Sequence, residues 1–145
     1  MFWGSLPTEE RLRLWKKLRT DINLLPKEER LNEVAKFCST IPFGSRSIDY
    51  YTPENWPTPW EILSHDLFCT SSISLLIFYT LTMLDDPESV ELHLVNDTDG
   101  QYLLPIIDNK FILNYEIGKV STYSELNDDF TVLQRFSKEK IKQIN

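Results

Sequence analysis

Apolar residues recur along this chain with two different periods, and the change of period divides it. From Thr8 onward, Leu12, Trp15, Leu18 and Ile22 stand three or four residues apart. That spacing places side chains on one face of a helix. Pro7-Thr8-Glu9-Glu10 precedes them as a start signal, with Thr8 as the expected cap and acids in the first turn. Pro26 opens a second helical segment, Lys27 to Phe37, with Leu31, Val34, Ala35 and Cys38 on one side. The short Leu24-Leu25-Pro26 connection predicts a helical hairpin over residues 1–40. Thr58-Pro59-Trp60-Glu61 predicts another helix, capped by Thr58 and ending near Ser64-His65. Cys69 then heads the most apolar candidate. Ile73, Leu76, Ile77, Tyr79, Thr80, Met83 and Leu84 leave almost no polar face, so this helix is expected to be buried by its neighbours. Asp85-Asp86-Pro87 ends it.

Beyond Pro87 the period falls to two. Val90-Glu91-Leu92-His93-Leu94-Val95 alternates as a strand does. Asn96 to Gly100 is a turn cluster, and Gln101 to Ile107 is the next strand, with Pro105 marking an edge or a bulge. Asp108-Asn109-Lys110 reads as a tight turn, Phe111 to Ile117 as a third strand and Phe130 to Phe136 as a fourth. Lys138 to Ile144 reads as a short terminal helix or tail. Helices first and sheet second predict an α+β fold: an N-terminal helical hairpin, then a buried, Cys-headed helix packed on a sheet of three or four antiparallel strands. One domain is expected over 1–145, made of the hairpin (1–40), an aromatic, proline-braced loop (41–60) and a helix-plus-sheet core (61–145). The loop holds Pro42, Pro53, Pro57 and Pro59 with Trp56 and Trp60. Loops of this length are often functional or packed against a site.

Length and charge narrow the classes. A chain of 145 residues with 41% hydrophobic content can bury a core. A net charge of −7 argues against a nucleic-acid binder, which normally shows a basic face. Arg11, Arg13, Lys16, Lys17 and Arg19 are expected to form a solvated helix face. The stretch from Ile73 to Leu84 is too short to span a bilayer, and the start Met1-Phe2-Trp3-Gly4-Ser5 lacks the pattern of a signal peptide. Two cysteines, Cys38 and Cys69, make no disulfide framework. A soluble protein of the reducing cytoplasm, or of a particle assembled there, is expected, with no cofactor and no metal site. His65 and Cys69 stand four apart, but two His and two Cys at scattered spacing are a poor zinc set.

Cys69, His93 and Asp108 carry the candidate chemistry. A thiol at a helix start meets unpaired N–H groups and the positive end of the dipole, which favour the thiolate. An imidazole takes the thiol proton, and a carboxylate holds that imidazole in its working tautomer. The Cys69 N–H and one upstream donor would form an oxyanion hole, with Asn55, Trp56 and Trp60 as candidates. His93 shares its strand face with Glu91 and Val95, while Val90, Leu92 and Leu94 take the other. With the turn centred between Thr98 and Asp99, Leu104 falls opposite His93, so contact between His93 and Asp108 requires a twist or bulge.

A cysteine-headed buried helix, a strand histidine and an aspartate fifteen residues later resemble the transglutaminase-like branch of the papain-like cysteine enzymes. The resemblance spans Trp56 to about Ile117 and implies Cys69, His93 and Asp108 as the catalytic set. The chain departs from the pattern beside the thiol. Leu67-Phe68 precede Cys69 where a small residue is usual, and Val95 stands where an aromatic commonly follows the histidine. Two functions follow. The first is a non-catalytic structural or assembly component on this fold, such as part of a phage particle, docking a protein partner through Phe2, Trp3 and Trp56. The alternative is a Cys-His-Asp thiol enzyme for acyl transfer or amide hydrolysis.

Overall fold

The computed structural model describes residues 5–41, 48–64, 69–125 and 130–141. Phe2, Trp3, His65 and Phe68 lie outside them. The class is α+β, as the two periods indicate. Helices α1 (Thr8–Ile22) and α2 (Lys27–Ser39) form the hairpin. Pro7 takes the N-cap position of α1 and Thr8 is its first helical residue, so the expected Thr8 cap does not form and no side chain caps this helix. The loop holds a 3-10 turn, Pro53–Asn55. Helix α3 (Pro59–Leu63) starts with the reciprocal Thr58–Glu61 capping box that its sequence predicts. Helix α4 (Thr70–Thr82) has Cys69 as its N-cap residue.

Five strands follow: β1 (Val90–Asp97), β2 (Gly100–Ile107), β3 (Phe111–Leu113), β4 (Val120–Thr122) and β5 (Thr131–Phe136). They form one sheet in the order β4-β3-β2-β1-β5, antiparallel throughout. The β1–β2 register places Leu104 opposite His93, as expected from the two-residue turn. Pro105 is neither on an edge strand nor at a bulge. It pairs with Leu92 in the interior strand β2, just past the end of the short β3 ladder, which engages only Ile106 and Ile107. A residue without an N–H is tolerated where no further strand needs its donor. The sheet's register shift instead falls between Leu94 and Val95, in the β1–β5 ladder. The third strand stops early because Asn114 turns left-handed, at φ 64°.

The core has two layers. Leu92 and Leu94 from β1, and Leu103 and Ile107 from β2, join Ile73, Leu76 and Ile77 of α4 and the buried faces of α1 to α3. On the opposite face of the sheet Val95, Leu104, Ile106 and Ile112 form a second cluster under Tyr102, Tyr115, Tyr123, Phe130 and Val132. The basic face of α1 is not wholly solvated. Arg13, Lys16 and Lys17 are exposed, but Arg11 is buried and donates to the carbonyl of Leu63 at 3.2 Å. Among the described residues no helix is long and apolar enough to cross a membrane.

Candidate functional site

Cys69 holds the position the sequence assigns it. The residue is half-buried, and its Sγ accepts the backbone N–H of Ser72 at 3.3 Å and lies 3.2 Å from the Ser72 hydroxyl. Two residues outside the expected set secure this helix start. Asn114 Nδ2 donates to the carbonyl of Thr70 and to Ser74 Oγ, both at 2.8 Å. Ser71 Oγ donates to Tyr50 Oη at 3.1 Å, which fixes the proline-rich loop beside the thiol. The signal for Asn114 was a single polar residue inside the apolar run Phe111 to Tyr115.

The structure does not bring His93 and Asp108 to this thiol. His93 alternates with Leu92 and Leu94, which face α4, so its ring lies on the opposite face of the sheet. There it is 2% exposed. Nε2 lies 3.0 Å from Glu91 Oε1 and Nδ1 lies 2.7 Å from Tyr123 Oη. A carboxylate only accepts, so Nε2 carries the proton and Nδ1 accepts from the phenol. Burial pushes the imidazole below its ordinary pKa, against the upward pull of the hydrogen bond it donates to Glu91.

Asp108 sits at the far end of α4. Its N–H donates to Ser89, and Glu88 N–H donates to Leu81 near the helix C-terminus. Asp108 and Asn109 both adopt positive φ, 55° and 56°, and form the β2–β3 turn. The Asp108 carboxylate pairs with Lys27, an interaction that raises the lysine pKa. Lys27 also meets Glu88, which is paired with the buried Arg30 at 2.7 Å. These groups line an open cleft of about 470 Å³.

The oxyanion and docking candidates separate too. Trp56 is 2% exposed, with its Nε1–H donating to the carbonyl of Asp49 at 2.6 Å and its ring against Phe136 at 4.9 Å. It is a core residue with its donor already used, so neither expected role fits its side chain. Trp60 is 44% exposed, edge-on to Trp15 at 6.4 Å. Asn55 is exposed at the end of the 3-10 turn.

No protein-family model matches the chain, and no curated protein sequence does. Solved structures of LapG from Legionella pneumophila do match in fold. Its calcium-bound form superposes with a TM-score of 0.76 at 15% identity, covering 93% of this chain and 78% of LapG. The EGTA-treated form gives 0.75 at 16% identity, over 90% of this chain and 74% of LapG. The chain therefore shares its backbone fold with LapG. At such identity the likeness is one of backbone architecture, and the chemistry has to be argued from this chain's own residues.

Cys38 is the contrasting thiol. It is buried in the core, and burial pushes its pKa up to about 12. The expected result is selective labelling: iodoacetamide modifies Cys69 in the native protein near neutral pH and reaches Cys38 only after denaturant is added. Mass spectrometry of the labelled peptides checks this.

Proposed function

We propose that this chain is a thiol enzyme in which Cys69 attacks a carboxamide or peptide carbonyl. The observation that carries the reading is a half-buried cysteine, Cys69, at the N-cap of α4, on a fold shared with the cysteine protease LapG. The S–C bond forms as the C–N bond breaks. The leaving amine takes a proton from solvent, and water or a second amine then accepts the acyl group. The first-turn N–H groups of α4 supply donors for the developing oxyanion. His93 and Asp108 stand outside this step, and the thiol proton passes to solvent. The fold supports this reading more than a role as a particle component.

One observation favours a second reading. Both nitrogens of His93 are engaged away from the thiol, so among the described residues no imidazole stands as the base a triad would provide. On that reading the chain binds a protein partner and does no chemistry.

The test combines labelling with turnover, in a Cys38→Ser background. Peptide amide hydrolysis, or transfer to a fluorescent amine, that disappears in Cys69→Ala supports the enzyme. A thiol that alkylates but turns over no amide leaves the binding reading. The geometry also predicts that His93→Gln leaves the Cys69 alkylation rate and its pH profile unchanged. A marked slowing in a folded His93→Gln protein would mean that the imidazole serves the thiol after all.

A further inference from the structure

We propose that Glu91, His93 and Tyr123 form a proton-sensitive latch that holds the β4 segment and the 3-10 turn after it against the outer face of the sheet. The turn, Tyr123–Glu125, directly follows β4. Tyr123 is tied to the sheet twice, by its N–H to the carbonyl of Lys110 at 3.2 Å and by its phenol to His93. Around it Tyr115 and Phe130 pack edge-on at 6.1 Å over the outer cluster. The outer core is thus roofed by aromatic side chains, and a buried imidazole meets the roof from below.

The hydrogen-bond count makes the contact depend on the proton. With His93 neutral, Nε2–H donates to Glu91 and Tyr123 O–H donates to Nδ1, so every group is satisfied. A proton added at Nδ1 turns that nitrogen into a donor. The phenol must then rotate its own proton toward solvent, and a cation now lies in the sheet. Among the described residues the groups that face the ring are few. Glu91 on β1 favours the cation, Arg135 opposite on β5 opposes it, Tyr123 comes from the turn, and β2 presents the apolar Leu104. Burial is the largest effect and favours the neutral ring.

The sign follows. The folded value lies below the ordinary 6.5, so the unfolded or opened state binds more protons as pH falls through that value. The latch is closed above it and weakens below it.

Amide hydrogen exchange on the whole chain tests this. Protection factors of residues 120–124 are expected to fall between about pH 7.5 and about pH 5, while those of α4 hold. His93→Gln should abolish that pH dependence. Tyr123→Phe should lower protection of the segment at neutral pH with α4 unchanged, so it serves if His93→Gln does not fold. The proposal is overturned if the segment loses protection only together with α4. It is overturned equally if the pH dependence survives in His93→Gln, or if Tyr123→Phe leaves neutral-pH protection intact.

Discussion

Arg30→Leu is expected to destabilise the fold by about 3–5 kcal/mol, the usual cost of breaking a buried ion pair from one side. Arg30 is 7% exposed and Glu88 8%. The guanidinium reaches Glu88 Oε1 at 2.7 Å, the carbonyl of Ile22 at 3.2 Å, and those of Asn23 and Asp86 at 3.4 Å. It therefore joins the end of α1, the body of α2 and the segment that leads into β1. Removing it strands a carboxylate that Lys27 meets only at 3.4 Å. Denaturant unfolding measures the loss. The double variant Arg30→Leu, Glu88→Leu should recover much of it, because no buried charge is left unpaired. Equal loss in the single and double variants would mean that the backbone carbonyls, and not the ion pair, carry the effect.

Trp56→Ala should cost a similar amount, about 3–5 kcal/mol, as for other large aromatic truncations in a core. It removes the ring that packs on Phe136 and the donor that satisfies Asp49. Trp56→Phe should lose less, about 1 kcal/mol for the hydrogen bond plus a smaller packing defect. Differential scanning calorimetry orders the three proteins. A fully stable Trp56→Ala would return Trp56 to the docking surface the sequence suggested for it.

These two residues show where the sequence could be read and where it could not. The helices announced themselves through three-to-four spacing and, at Thr58-Pro59-Trp60-Glu61, through a capping box. The alternation of Val90 to Val95 located β1, and its turn set the register of His93 against Leu104. The same alternation placed His93 on the face away from Leu92 and Leu94. Which of those faces would carry α4 was the missing fact, because helix-to-sheet docking is non-local. Asp108 went astray for a related reason. Sequence order put it after the histidine, but the direction of β2 carried it to the far end of α4. Val120-Ser121-Thr122 is too short for any period to mark it as a strand. Tryptophan content made the 41–60 loop look like a contact surface, and only the ring's neighbours turn Trp56 into core.

Helix α4 has Cys69 at one end and the Arg30–Glu88–Lys27–Asp108 network near the other. Thirteen residues at 1.5 Å each separate them by about 20 Å. Substitutions at that distance share no partners, so their effects on stability should add. Mutational change at the thiol end can therefore create, tune or erase reactivity without drawing on the ion pairs that hold the helical half to the sheet. The proposed chemistry and the ion pairs lie at opposite ends of one helix and are free to drift independently.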